Sequence, residues 1–240
     1  MRVAAVQFKA TKGDKAASLE RLTALARAAG AGADLLVLPE MAATGYVFEN
    51  REAISPVTEA VRGETFDALA PIAREHGCWI VSGFAERDGD HFYNSAHVID
   101  PAGALHACYR KTLLYEADTT WAEPGNSGYL RVETPAGAFS VGICMDLNDD
   151  RFTAWCRTAA IRAIAFPTNW LDQGRNIWPY WAWRLISVRA ALVAANTYGA
   201  EGATRFIGES AVLDNRVVLA AAPPTGDHII RAVLPLQKKT

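Results

Sequence analysis

Three residues that can carry out chemistry each follow a short apolar run. Glu40 comes after DLLVLP, Lys111 after ALHACYR and Cys144 after GAFSVGI. In α/β sheets, ligands gather beyond the carboxyl ends of the strands. If these runs are neighbouring strands, a carboxylate, an ammonium and a thiol share one pocket. That set suffices for acyl transfer: the thiol attacks, the carboxylate takes its proton, and the ammonium stabilises the oxyanion. Each residue also has an ordinary reading. A Glu after Leu-Pro serves as a turn or cap residue, a Lys in YRKT as a snorkelling cation, and a Cys behind an apolar run as an inert core thiol.

The elements that must position these residues alternate early in the chain. RVAAVQF reads as a strand. In KAASLERLTALARAAG, Leu19, Leu22, Leu25 and Ala26 recur at helical spacing and Gly30 is the stop. DLLVLP is a continuous apolar run, as in a strand covered on both faces. A helix ended by Gly77 and the strand CWIVSGFAE follow. FYNSAHVID, PAG and ALHACYRK form a strand, turn and strand. Then come strand GAFSVGIC, helix DRFTAWCRTAAI, strand RAIAFPT, helix WPYWAWRLISVRAA and strand LVAANTY. ESAVLDNRVVLAA and HIIRAVL read as closing hairpin strands, with Asp214-Asn215 at the first turn. The pattern predicts one α/β domain over 1–240 with a mixed sheet.

Composition narrows the function classes. The chain has 240 residues and a formal charge of −2. Such a balance gives no electrostatic reason to bind nucleic acid or an anionic membrane. No run approaches the roughly 20 apolar residues of a membrane span, and MRVAAVQFKA lacks the apolar stretch of a signal peptide. Cys78, Cys108, Cys144 and Cys156 show no CxxC or Cys/His metal spacing. The expectation is a reduced, cytoplasmic protein.

The catalytic candidates lie within longer motifs. Leu38-Pro39-Glu40, Tyr109 to Thr112 (YRKT) and Gly142 to Asp146 (GICMD) resemble the three signatures of the nitrilase superfamily of carbon–nitrogen hydrolases. RVAAVQF, YNSAHVID, WAEPG, AFPTNW, VAANTYG and GESAVLD resemble the intervening blocks, so the likeness covers nearly the whole chain. It implies a four-layer αββα sandwich with two mixed sheets. It assigns Glu40 as general base, Lys111 as the oxyanion cation and Cys144 as nucleophile, with the Met145 backbone N–H as second oxyanion donor. The implied reaction passes through a thioester without metal or organic cofactor. Family members often carry a second glutamate before the aromatic-x-Pro-Gly loop; the register from Pro124-Gly125 places Asp118 there, with Glu116 competing. Many members also carry RAxEN on the helix after PTNW. Here Arg184 matches its first position, but Ser187 and Val188 replace the acid and amide. A homodimer is the default assembly of the family.

The residues after Cys144, Met-Asp rather than Trp-Glu, resemble the amidase branches more than the nitrilase branch. A small-molecule primary amide is therefore the expected substrate. Tyr46, Asn169 and Trp170 are the candidate substrate contacts, each just beyond a catalytic strand end. No arginine stands out as a carboxylate clamp; Arg175 reads as solvated loop. The alternatives are an N-carbamoyl amine or amino acid hydrolase, a nitrilase, a catalytically silent interaction module, and a redox protein using Cys144. The last lacks a nearby resolving cysteine, and Cys156 reads as core.

Overall fold

The computed structural model describes residues 1–235. Among the described residues, eleven of thirteen strands make two facing sheets, the other two form a separate hairpin, and five α-helices complete the fold. The chain begins with β1 (Arg2–Gln7), α1 (Lys15–Gly30) and β2 (Leu35–Val37), then a short α2 (Arg51–Ile54), α3 (Glu64–His76) and β3 (Trp79–Asp88). Asp14 caps α1 by accepting the Ala17 N–H, and Gly77, with φ of 60°, ends α3 in the left-handed conformation that favours glycine. The hairpin strands β4 (His91–Ile99) and β5 (Leu105–Arg110) complete this half.

The second half comprises β6 (Phe139–Val141), α4 (Asp150–Thr158), β7 (Ala163–Thr168), α5 (Trp178–Arg184) and β8 (Ala191–Asn196). A small hairpin of β9 (Tyr198–Glu201) and β10 (Thr204–Ile207) follows, then β11 (Ala211–Asp214), β12 (Val217–Ala221) and β13 (His228–Val233). One sheet has the order β13-β1-β2-β3-β4-β5, the other β12-β11-β8-β7-β6. Both are mixed: β1-β2-β3 and β6-β7-β8 run parallel, and the remaining pairs are antiparallel.

The layers follow from the side-chain pattern. Ala4, Val6, Leu36 and Ile80 project from the first sheet onto Leu22, Ala26, Leu69 and Ile72 of α1 and α3. Val3, Ala5, Val37, Val81, Ala96 and Val98 project the other way, into a core shared with Val141, Ala165 and Val193 of the second sheet. Phe152 and Cys156 of α4 and Trp181 of α5 belong to that same core. Among the described residues no helix is long and apolar enough to cross a membrane.

Three local readings are corrected. HIIRAVL does not form a hairpin with its predecessor; it crosses to the first sheet and pairs with β1. The helix expected over WPYWAWRLISVRAA stops at Arg184. The stretch 198–207 forms the hairpin β9–β10, although neither four-residue strand has apolar alternation.

Candidate active site

Glu40 leaves β2 through a turn seated on β3. The Leu38 N–H donates to Val81 O (2.8 Å), and the Ala42 N–H to Gly83 O (3.1 Å). Met41 between them takes a φ of 51°. Gly83 makes the approach possible: a Cβ there would lie 2.5 Å from Glu40 Cα and 2.7 Å from Met41 N. Lys111 directly follows β5. Its N–H donates to Asn94 O and its carbonyl accepts the Gly125 N–H, both at 2.8 Å, so the Pro-Gly loop docks on its backbone.

Cys144 comes from the opposite sheet, two residues beyond Gly142, and opens a 3₁₀ turn over Cys144–Asn148. Its φ of 42° is rare for a residue with a side chain and marks backbone held under constraint. The three strands are thus not the neighbours expected from one sheet. Glu40 and Lys111 descend from strands separated by β3 and β4, and Cys144 faces them across the sandwich.

Two of the three side chains, those of Glu40 and Lys111, meet directly. Lys111 Nζ donates to Glu40 Oε1 (2.7 Å) and Asp118 Oδ2 (2.6 Å), and all three side chains are fully buried. Asp118 also accepts the Tyr115 N–H at 2.9 Å, whereas Glu116 is exposed. The acid beside Lys111 is therefore Asp118. Asn94, which the sequence reading passed over, donates through Nδ2 to Glu40 Oε1 (2.7 Å) and Asp118 Oδ1 (3.2 Å). Asn169 closes the other side: its N–H donates to Glu40 Oε2 (2.8 Å) and its Nδ2 to Glu40 O (3.0 Å).

Asp146 fixes the turn that carries Cys144. Its Oδ2 accepts Tyr109 OH (2.8 Å) and the Ile143 N–H (2.9 Å); its Oδ1 accepts the Thr112 hydroxyl, the Thr112 N–H and the Leu113 N–H. α5 holds the far end of the turn, with Arg184 Nε on Leu147 O (2.8 Å) and Tyr180 OH on Asn148 Oδ1 (2.6 Å). Arg184 thus has a partner although Ser187 and Val188 depart from the family motif; Val188 is core.

The remaining candidates fall in two places. Tyr46 is buried with Met41, Phe48, Trp121 and Phe206, and Lys111 Nζ lies 5.9 Å from its ring centroid. Met145 is second in the 3₁₀ turn, where the first N–H groups lack partners within the turn. Trp170 shares the buried cluster that holds Cys144: its ring packs with Phe166, Tyr180 and Trp181, and its N–H donates to Asn196 Oδ1. Arg175 is exposed and bonds Gln173, and Cys156 is buried in the core.

Burial sets the direction for Glu40 and Cys144, and neighbouring charges set it for Lys111. Burial raises the Glu40 carboxyl, with the Asp118 charge adding and Lys111 opposing. For Lys111 burial disfavours the charge, but Asp118 and Glu40 outweigh it and hold the ammonium well above its ordinary value. Burial, then the Glu40 charge, raises the Cys144 thiol, against Lys111, the Thr168 hydroxyl and the Asn169 N–H. The resting pocket thus pairs a protonated thiol, within range of a carboxylate of raised basicity, with a charged ammonium. Such a set can move a proton from sulfur to carboxylate while a neighbouring cation receives negative charge.

Comparison with known proteins follows the same lines. The Carbon-nitrogen hydrolase family profile matches residues 2–238. A protein from Pyrococcus abyssi described as a nitrilase is 36% identical over 208 residues, covering 82% of this chain and 75% of its own. The protein N-terminal amidase of Saccharomyces cerevisiae is 30% identical over 169 residues, 58% of this chain and 37% of that protein. Among solved structures, an amidase from Nesterenkonia sp. superposes with a TM-score of 0.84 at 22% identity, covering 98% of this chain and 90% of that one. Sequence and fold agree: the chain belongs to the carbon-nitrogen hydrolase family, within the nitrilase superfamily.

Proposed function

We propose that the protein is a cysteine-dependent amidohydrolase that converts a linear primary amide into a carboxylate and ammonia. The observation that carries this reading is the buried Lys111–Glu40 ion pair at 2.7 Å, with the Cys144 thiol within electrostatic range of both. Attack forms a C–S bond as the thiol proton passes to Glu40. Lys111 and the Met145 N–H stabilise the oxyanion. Glu40 returns the proton to nitrogen, the C–N bond breaks, and ammonia leaves a thioester. Water then attacks the acyl carbon, Glu40 accepts its proton, and C–S cleavage regenerates the thiol.

Asp118 and Asn94 hold Lys111 and Glu40 in register in this reading. Tyr46 and Asn169 line the acyl and amide sides. The aromatic cluster around Tyr46 favours uncharged, apolar acyl groups. The Pyrococcus relative makes nitriles the competing substrates. We further propose a homodimer; supporting it, Trp183, Ile186 and Val217 are each 58% exposed, and sedimentation velocity would check it.

The test is ammonia release from a panel of primary amides, carbamoyl amino acids and nitriles by wild type, Cys144→Ala and Glu40→Gln. Amide turnover lost in both variants, with an acyl adduct on Cys144 in the wild type by mass spectrometry, is expected. Turnover surviving in Cys144→Ala, or confined to nitriles, would overturn the reading.

A further inference from the structure

The small hairpin β9–β10 lies between the two chain segments that flank Glu40. On one side the Ile207 N–H donates to Trp170 O (3.0 Å) and the Asp172 N–H to Arg205 O (2.9 Å), tying the hairpin to the segment beyond Asn169. On the other, Glu201 reaches the loop that leaves Glu40. Its carboxylate accepts the Tyr46 N–H (Oε2 at 3.0 Å, Oε1 at 3.2 Å) and the Val47 N–H (3.0 Å), across 155 positions of sequence in the first case. Glu201 is only 9% exposed. Lys12 Nζ stands 3.9 Å from Oε2, donates to Val47 O and lies 4.7 Å from the centre of the Phe48 ring, so the acid has a cation on its outer side.

Two further features show that the loop is built around this carboxylate. Gly45 has a φ of +77°, and a Cβ on it would lie 2.9 Å from Glu201 Oε1. Phe206, on the partner strand, meets Tyr46 edge to face at 6.0 Å between centroids. The Tyr46 ring is therefore held twice, at its backbone by Glu201 and at its ring by Phe206, on the side of the loop that faces Lys111. A carboxylate accepting backbone N–H groups makes charge-assisted bonds, which fix geometry more strongly than neutral ones.

We infer that Glu201 is a positioning residue for acyl specificity, setting the Tyr46 wall from a separate hairpin without touching the reacting atoms. The inference rests on the amidohydrolase reading for its substrate. A fixed wall discriminates acyl groups by how they pack, so loosening it acts on binding of larger acyl chains more than on the chemical step. Formamide, which has no acyl carbon chain, should ignore the change.

The experiment compares wild type, Glu201→Gln and Gly45→Ala on formamide and butyramide, with hydrogen exchange read at the Tyr46 and Val47 amides. Glutamine removes the charge and turns an NH₂ toward an N–H donor; alanine crowds the carboxylate from the other side. Both variants should raise KM for butyramide roughly tenfold, with kcat changed by less than about threefold and formamide kinetics unmoved. Exchange at Tyr46 and Val47 should accelerate in both. If KM stays unchanged, or kcat falls equally for both amides as after a loss of folded enzyme, the inference is overturned. If wild type hydrolyses no amide, the function reading fails separately; the ratio of Cys144 alkylation rates by iodoacetamide and N-phenylmaleimide then replaces KM. Unaltered selectivity and exchange in the variants would sink the role of Glu201 on their own.

Discussion

Tyr109 and Asp146 come from opposite sheets and meet through a hydrogen bond of 2.8 Å, with both side chains buried. Tyr109 is two residues before Lys111, and Asp146 is two residues after Cys144. The bond therefore joins the strand that delivers the cation to the turn that delivers the thiol. The same carboxylate takes the Ile143, Thr112 and Leu113 N–H groups, so one acid sets the distance between two catalytic candidates.

Replacing that acid should cost both stability and rate. Asp146→Asn turns an NH₂ group toward N–H and O–H donors and leaves some of them buried without an acceptor. We expect a loss of about 2–4 kcal/mol in urea unfolding and a lower kcat. Tyr109→Phe removes one donor only and should cost about 1 kcal/mol. An Asp146→Asn protein as stable as wild type would show that the carboxylate does not organise the turn.

How these residues could have been read from the sequence differs case by case. Glu40, Lys111 and Cys144 stood out because a polar residue directly after an apolar run marks a strand end. Asn94 left a fainter signal: strand periodicity puts it on the face that carries Ala96 and Val98, and a polar side chain on a core face calls for partners. Its partners are at 40 and 118, which no local pattern reveals. Asp146 lies inside GICMD, yet its function depends on donors at 109–113. The β9–β10 hairpin and the pairing of β13 with β1 depend on contacts between distant segments, and periodicity carries no information about which strand is the partner. The four-layer sandwich was legible through family resemblance; apolar patterning alone reached only a layered α/β domain.

The pH dependence of turnover should report the buried Glu40. Burial and the Asp118 charge raise this carboxyl above its ordinary value of 4.5. As the proposed general base, Glu40 works only when deprotonated, so kcat/KM should fall as pH drops through that raised value. The acidic limb of the kcat/KM profile should therefore lie above 4.5, with Glu40→Gln reducing the plateau by roughly a thousandfold. A limb at or below 4.5, or unchanged activity in Glu40→Gln, would assign the base elsewhere.

Acid stability should register His97. Its Nε2–H donates to Val61 O (2.8 Å), its ring stacks on Phe84 at 3.6 Å, and Nδ1 is buried without a partner. Burial, aided by the Lys15 charge, lowers its pKa from 6.5 to about 3. The folded protein thus excludes a proton that the unfolded chain binds. The resulting stability is fully present above pH 6.5 and is lost progressively as pH falls toward 3. Between pH 6 and 4, His97→Gln should show a stability slope shallower than wild type by up to about 1.4 kcal/mol per pH unit, measured by urea unfolding. Comparing slopes cancels the buried carboxylates that titrate in the same window. Parallel slopes would mean that His97 protonates equally in both states.

The second acid is the sharpest test of the candidate site, because two neighbouring residues give opposite expectations. Asp118 Oδ2 accepts Lys111 Nζ at 2.6 Å while Glu116 faces solvent. Asp118→Asn removes one of two counter-charges from a fully buried ammonium and leaves Glu40 to balance it alone. The Lys111–Glu40 pair should then tighten, and Glu40 should become a poorer base. Turnover should fall by about 10²–10³ as the proposed oxyanion cation and proposed base are both disturbed. Glu116→Gln should stay within about twofold of wild type, as for a surface change without partners. Steady-state ammonia release from both variants, with circular dichroism to confirm folding, decides between them. A large loss in Glu116→Gln with normal Asp118→Asn would mean that the buried acid is scaffolding and the exposed one swings in with substrate.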